Sequence, residues 1–399
     1  MLTVLHLSVY RYSGIHPATY EEWGYSADFM IKERYVLKMN QSLTRQFFRF
    51  TIPTILSMVA FSLYTLVDGI FVAKGVGETA LAAVNLSSPY NSVMFAAGLL
   101  LAVGMSTTIA IRLGNGKHHE ASSLFTRNLI VAVVVSIVIS VLTLLNLRSV
   151  AQFLGAEGDT LGYVMEYVGG VSPFAVFFIC SYNMEILVKT DGTPLLSTIG
   201  VSLAGVTNLV LDWLFVMIFH WGVRGAAVAT GLAQVVSTVL YLYYFARRSK
   251  QLHFVKVSLK PSGFRIYRRT LPLGVADSIT EVSNGVVLFA FNQTILRLIG
   301  ESGVVSYTVI GYVNTLVLMV MSGIAQGIQP ISSFYYGKQE RKSYEAILKM
   351  ALAMAIILSV GSFLGCQMFG GSIVGLFIKR DSLLFDSSVA ALRKYSLAF

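Results

Sequence analysis

Long stretches without any charged residue recur along the chain, and they limit its fold more than any other feature. The stretches 128–147, 225–246 and 302–337 contain no Asp, Glu, Lys or Arg. A run of about 20 apolar residues crosses a bilayer as a helix. Charged residues make up only 13% of the 399 residues, against roughly 25% in soluble domains. We therefore predict an all-α, polytopic helical membrane protein.

The uncharged stretches predict nine complete membrane spans. A tenth begins around Ser387, but only about half of the length needed for a crossing remains before Phe399. We therefore expect the last span to be incomplete and further helices to be missing. The nine predicted spans lie near 50–73, 84–111, 128–147, 164–187, 195–219, 225–246, 271–296, 304–328 and 347–369.

The Lys and Arg residues predict the orientation of these spans. The N-terminal segment and the alternate loops on its side carry 22 of them, Lys189 included, whereas the opposite loops carry 6. Cytoplasmic loops of membrane proteins are enriched in Lys and Arg. We predict a multi-pass protein of the cell inner (plasma) membrane with a cytoplasmic N-terminus. The same loops account for the net charge of +10, so we expect no nucleic-acid partner.

A basic linker divides the predicted helices into two pseudo-symmetric lobes. We predict an N-terminal extension at 1–45, an N-lobe with spans 1–6 at 46–248, the linker at 249–269, and an incomplete C-lobe at 270–399. Weak repeats support this division, because Pro53 and Pro272 are 219 residues apart and Gly116 and Gly337 are 221 apart. Transporters are often built from such repeats. The alternative is that any two amphipathic membrane hairpins look alike.

The extension has its own alternative readings. Its polar, aperiodic sequence differs from everything that follows, and Met39 would serve as an initiator. Either the start is misassigned or the extension is a cytosolic tail.

Carboxylates inside a bilayer are costly and often functional, and two aspartates, Asp68 and Asp212, lie in the predicted spans of the N-lobe. Asp212 lies one helical turn after Asn208, so an amide oxygen and a carboxylate face the same space. Such hard oxygen ligands bind a small desolvated cation, and a buried carboxylate can also relay a proton. Thr230 on the next helix could add a hydroxyl. The alternatives are a polar contact between helices for Asp212 and an interfacial carboxylate for Asp68.

The seventh predicted span carries a second acidic pair, Asp277 and Glu281. They are also four residues apart, and two like charges on one helix face cannot cheaply both stay ionised. We expect at least one of them to titrate or to meet a cation. The alternative for Asp277 is a side chain that reaches the cytoplasmic surface.

The remaining signals are weaker. Tyr64 and Met319 would suit an adaptable substrate cavity, although such residues more often pack in a core. Cys180 and Cys366 lie in apolar stretches and are expected to be buried and unbridged. His118 and His119 fit no known metal-ligand spacing, and the sequence has no GxxxxGK[ST], HExxH or GxSxG motif. We therefore predict no enzyme, no cofactor and no metal beyond Na+.

Three segments resemble the multidrug and toxic compound extrusion (MATE) family. They are VDGIFVAKGVGETALAAVNLSSP, KTDGTPLLS and TNLVLDWLFVMIFHWGVRGAAVAT, and the resemblance runs from about Gln46 to Phe399. It implies two six-helix lobes that export organic cations in exchange for Na+ or H+. It also implies an N-lobe cation site, which corresponds here to Asp68, Asn208, Asp212 and Thr230, and a C-lobe acidic residue that corresponds best to Glu281.

The leading hypothesis is an antiporter that works by alternating access, with small organic cations and the lipid bilayer as its partners. We expect a monomer. One alternative is a flippase of lipid-linked saccharides on a related two-lobe plan, which should have basic residues in its cavity. The other is an inactive transporter fragment or a membrane interaction protein.

Overall fold

The computed structural model describes residues 43–258, 261–298, 301–375 and 384–399, and these ranges contain helices and no strand. The predicted all-α fold class is confirmed. Residues 1–42 of the predicted extension lie outside the described ranges. The helices within them are α1 (Leu43–Gly75), α2 (Glu78–Gly114), α3 (His118–Leu145), α4 (Leu147–Phe153), α5 (Gly158–Val171), α6 (Ala175–Thr190), α7 (Pro194–Asp212), α8 (Gly222–Arg247), α9 (Tyr267–Leu298), α10 (Glu301–Gly337), α11 (Arg341–Gly375) and α12 (Phe385–Tyr395).

Eight helical segments of the described chain are long and apolar enough to cross a membrane. Each corresponds to one of the nine predicted spans. The fourth consists of two helices, α5 and α6, which a 3-10 turn at Ser172–Phe174 joins around Pro173. Proline cannot donate a helical hydrogen bond, so the helix changes geometry there.

The remaining predicted span, 271–296, forms helix α9. Its 32 residues are about 48 Å long at 1.5 Å per residue, which is enough for a crossing.

The outer face of α3 shows how the helices are placed for a bilayer. Val134, Val138 and Val141 are about half exposed, whereas Ala132 and Ser136 on the opposite face are fully buried. Exposed aliphatic side chains at this spacing form a continuous apolar stripe. In a membrane protein such a stripe contacts lipid.

The lobes meet at the predicted cytoplasmic ends of their helices. In α2, a Cβ on Gly104 would overlap the carbonyl of Thr270, and in α9 a Cβ on Gly274 would overlap the carbonyl of Leu100. Glycine lets membrane helices approach backbone to backbone. Gln329 of α10 adds hydrogen bonds to α2, with its Nε2 2.8–3.0 Å from three acceptors there.

Positions related by the predicted repeat occupy comparable places in the two lobes. Pro53 and Pro272 each lie inside the first long helix of their lobe. Gly116 follows α2, and Gly337 ends α10. Each lobe thus passes from its second long helix to its third near the matched glycine.

Candidate functional site

Asp68 and Asp212 meet inside the N-lobe, although 144 positions separate them in the sequence. Asp68 lies in α1 and is 9% exposed, and Asp212 ends α7 and is fully buried. Their carboxyl groups interact directly with each other. Two carboxylates in contact cannot cheaply both stay ionised. The pair therefore needs a proton or a cation between or beside its oxygens.

Asn208 and Thr230 complete the predicted set. Asn208 is buried one turn before Asp212 on α7, and its Nδ2 donates to Thr230 Oγ1 of α8 at 3.4 Å. The Thr230 hydroxyl donates in turn to the carbonyl of Ala226 at 2.9 Å. The amide oxygen of Asn208 has no hydrogen-bond partner among the described residues. The structure thus brings all four predicted N-lobe residues into one cluster.

Several oxygen atoms of this cluster are buried without a hydrogen-bond donor from the described residues. They are Asp68 Oδ1, Asn208 Oδ1 and both carboxyl oxygens of Asp212. An unsatisfied buried polar group costs about 1–3 kcal/mol, and a charged one costs more. Carboxylate and amide oxygens are the donors that hard cations prefer. The chemistry of the cluster fits a small cation or a shared proton.

A single π-helical turn, Trp213–Ile218, follows Asp212 directly. Such turns are rare and are frequent at functional sites. Val216 in this turn is buried, and it packs so closely on Gly75 of α1 that a Cβ on that glycine would be 2.5 Å from it. The turn therefore ties the region around Asp212 to the end of the helix that carries Asp68.

Tyr64 lies one turn before Asp68 and packs on Gly205 of α7, where a Cβ would be 3.1 Å from its ring. It lines a narrow cavity of about 20 Å³ together with Phe61, Tyr182 and Glu185. That volume holds about one water molecule. In this conformation the cavity beside Tyr64 is too small for an organic molecule.

The C-lobe acids lie apart from the N-lobe pair. Asp277 and Glu281 are half-buried on α9, and both act electrostatically on Tyr182 of α6. Glu185 acts on the same tyrosine. Acidic side chains of both lobes therefore lie within electrostatic range of Tyr182.

The second residue predicted for a substrate cavity is Met319, which is half-buried on α10. It does not line the narrow cavity beside Tyr64. The neighbouring Met321, Met350 and Met354 pack against the buried cluster that joins α1, α10 and α11. Tyr64 and Met319 thus occupy different parts of the molecule.

Sequence reasoning missed a buried ion pair on α6. Lys189 Nζ lies 2.9 Å from Glu185 Oε1, and both side chains are at most 5% exposed. The same nitrogen is 3.3 Å from Oε1 of Gln326 on α10. Counting Lys189 among the loop charges was therefore wrong, because it is buried between the lobes. The spacing of four residues between Glu185 and Lys189 was the available signal.

A second missed residue, Asp191, anchors the linker. It caps α6 and is fully buried. Its carboxylate accepts the backbone N–H groups of Lys250, Gln251 and Leu252, each at 2.8 Å, and the Tyr244 hydroxyl at 2.6 Å. Burial raises the pKa of the Asp191 carboxyl, and these hydrogen bonds oppose that shift. The residue fixes where the chain leaves the N-lobe.

The two cysteines behave as the sequence predicted, and the acid beside the two histidines is engaged in ion pairs. Glu120 beside His119 forms ion pairs with Arg112 at 2.6 Å and Lys117 at 3.2 Å. Among the described residues, no group of three or more His, Cys, Asp or Glu side chains is placed to hold a metal ion. Cys180 and Cys366 are both buried and unbridged.

Known proteins share both the sequence pattern and the fold of this chain. The family model described as MatE matches residues 53–214, which contain Asp68, Asn208 and Asp212. The resemblance to the MATE family is confirmed. The multidrug export protein MepA of Staphylococcus haemolyticus is 23% identical over 336 residues, covering 84% of this chain and 74% of MepA.

Solved structures of MATE transporters have the same fold. An outward-facing structure of a multidrug resistance MATE family transporter of the MOP superfamily gives a TM-score of 0.81 at 24% identity, with 89% of this chain and 79% of that chain covered. A MOP superfamily transporter from Pyrococcus furiosus, described as having a binding pocket of reverse polarity, gives a TM-score of 0.79 at 24% identity, with the same coverage. The MATE fold therefore extends over both lobes.

Proposed function

We propose that this chain is a secondary active multidrug efflux transporter, an antiporter that exchanges organic cations for Na+ or H+ across the plasma membrane. The observation that carries this proposal is the buried contact between Asp68 and Asp212. A carboxyl pair of this kind, deep in the N-lobe and lacking donors from the described residues, needs a positive charge to be stable there. A gradient of that positive charge can then drive transport.

In this proposal Asp68 and Asp212 take up the coupling ion. If the ion is Na+, the oxygens of Asn208 and Thr230 add neutral ligands beside the two carboxyl groups. If it is H+, one proton shared by the carboxyl pair is sufficient. Both versions make Asp212 indispensable, because it supplies one carboxyl group of the pair and neither of its oxygens has a donor among the described residues.

The acidic groups around Tyr182 support a cationic substrate. Asp277 and Glu281 from the C-lobe and Glu185 from the N-lobe all act on this residue. Opposite charge attracts an organic cation to such a region. Because Glu185 is paired with the buried Lys189, the net negative charge of this region comes from Asp277 and Glu281.

The same observation disfavours a flippase of lipid-linked saccharides. Such a protein must hold a phosphate and should present basic groups in its central cavity. Among the described residues of α9, the two half-buried charged side chains, Asp277 and Glu281, are both acidic. The binding pocket of reverse polarity is described for the Pyrococcus furiosus transporter and is not carried over to this chain.

The contacts between the lobes support alternating access. In this conformation the lobes touch at their predicted cytoplasmic ends, through the backbones at Gly104 and Gly274 and through Gln329. A ligand shifts such an equilibrium only through its differential affinity for the two states. Uptake of the coupling ion at Asp68 and Asp212 would bend α1 and favour release of the drug.

The test is an efflux assay in cells with Asp212→Asn. The amide keeps the size of the side chain but cannot take up a proton, and it lowers the charge available to Na+. We expect gradient-driven efflux to be abolished at unchanged expression. Glu166→Gln is the matched control, because Glu166 is an exposed acid of the same lobe. Unchanged efflux in Asp212→Asn would remove the basis of the proposal.

A further inference from the structure

A basic cleft of about 780 Å³ opens at the predicted cytoplasmic end of the N-lobe. It lies where the end of α2 and the first turns of α3 meet the linker that leads into α9. Five arginines line it, against a single acid. The charged lining residues are Arg112, Arg127, Arg265, Arg268, Arg269 and Glu120, with His119 beside them.

The acid does not neutralise the cleft. Glu120 is already held by Arg112 at 2.6 Å and by Lys117 at 3.2 Å. Arg265, Arg268 and Arg269 form no ion pair with any acid of the described chain. Like charges gathered in this way repel one another unless an anion joins them.

Arg127 gives the cleft a fixed wall. Its Nη1 donates to the carbonyl of Gly263 at 2.8 Å, which holds the linker against α3. Because a carbonyl carries no net charge, the guanidinium keeps its full positive charge on the cleft side. Its Nε is buried without a hydrogen-bond partner among the described residues. Leu124 and Ile266 supply apolar wall beside it.

The cleft continues into the face of α3 that contacts lipid. Arg127, Val134 and Val141 are each seven residues apart, which is close to two helical turns, so they lie along one face. Val134 is 53% exposed and Val141 47%. The step from Arg127 to Val134 rises about 10 Å. A molecule with a phosphate in the cleft can therefore lay its acyl chains along α3.

We propose that this basic cleft binds the phosphate group of an anionic phospholipid of the cytoplasmic leaflet. Arg265, Arg268 and Arg269 contact the headgroup, and the apolar stripe of α3 contacts the acyl chains. Basic pockets beside membrane helices on the cytoplasmic side have this chemistry. The inference rests on the predicted orientation of the helices and not on the proposed transport activity.

The test measures binding of phosphatidylglycerol to the purified full chain in neutral detergent by native mass spectrometry. Phosphatidylcholine and inorganic phosphate are the comparison ligands. Each basic residue near the membrane contributes roughly a fivefold factor in affinity, so the triple variant Arg265→Gln, Arg268→Gln, Arg269→Gln should lose roughly 100-fold. Arg127 is left unchanged because it holds the linker.

A matched control removes three positive charges from the first turns of α11, at the predicted cytoplasmic end of the C-lobe. It is Arg341→Gln, Lys342→Gln, Lys349→Gln, and it should bind phosphatidylglycerol within about twofold of the parent, since these residues lie outside the cleft. Thermal unfolding checks that each variant is folded, and Arg268→Gln alone should still lose roughly fivefold. Equal loss in both triple variants would overturn the proposal. So would competition by inorganic phosphate as strong as by the lipid, which would assign the cleft to a free anion.

Discussion

A close helix contact between the lobes, that of α10 with α1, gives a prediction about conformational change. Gly323 and Gly327 of α10 pack directly on the backbone of α1, which crosses them near its start. A Cβ at Gly323 would be 2.7 Å from Ile55 Cα, and one at Gly327 would be 2.8 Å from Thr51 Cα. Ordinary van der Waals contact begins at 3.4 Å, so the helices must separate by about 0.6–0.7 Å. Since the opposing atoms are backbone, they cannot rotate away.

We therefore expect the double variant Gly323→Ala, Gly327→Ala to destabilise the conformation in which the lobes touch at their predicted cytoplasmic ends. Overpacking of a tight contact costs about 1–3 kcal/mol. If that cost falls on one conformation only, the equilibrium between the two shifts by roughly 5- to 150-fold. Electron paramagnetic resonance between spin labels at Lys117→Cys and Lys342→Cys, in a chain without Cys180 and Cys366, reports the separation of the two ends.

The control has the same spacing on another helix. Gly361 and Gly365 of α11 are also four residues apart, and a Cβ at either would meet nothing within 4 Å. The double variant Gly361→Ala, Gly365→Ala should leave the distances between the spin labels unchanged, because it adds the same two methyl groups without a clash. Identical distance distributions for the two double variants would refute the reasoning from interlobe contact.

Two further predictions concern buried charges outside the N-lobe pair. Asp191→Ala should lower the free energy of unfolding by about 2–4 kcal/mol, because three linker amides and the Tyr244 hydroxyl lose a charged acceptor. An unchanged unfolding midpoint would contradict the anchoring role. Lys189→Met should lower the free energy of unfolding by about 3–5 kcal/mol, because it leaves Glu185 buried and unpaired. Adding Glu185→Leu to this variant should restore most of that stability. Additive losses in this double-mutant cycle would argue against the ion pair.

The sequence was most informative where the cause of structure is local. Charge-free stretches gave the positions of the helices, because bilayer thickness sets their length. Asn208 and Asp212 were predicted to share a face from their spacing alone, and α7 places them so. The break at Pro173 also follows from one residue, although a hydropathy reading merges α5 and α6 into one span.

Contacts between distant segments were beyond such reasoning. The contact of Asp68 with Asp212 joins α1 to α7, and only the family resemblance indicated it. Lys189 looked like an ordinary loop charge because it follows the last apolar residues of its span. Its burial depends on the packing of α10 against α6 through Gln326, which no local pattern records. The basic cleft likewise depends on Arg127 drawing a distant linker onto α3.

The central claim is that the N-lobe carboxyl pair takes up the coupling ion, and thermal unfolding of the purified protein tests it most directly. A ligand that binds only the folded state stabilises it by RT ln(1 + [L]/Kd). We predict that Na+, or else a fall in pH, raises the unfolding midpoint of the parent chain. The same titration should leave Asp212→Asn unchanged, with Glu166→Gln behaving like the parent. Equal responses of the parent and Asp212→Asn to both Na+ and pH would contradict the account.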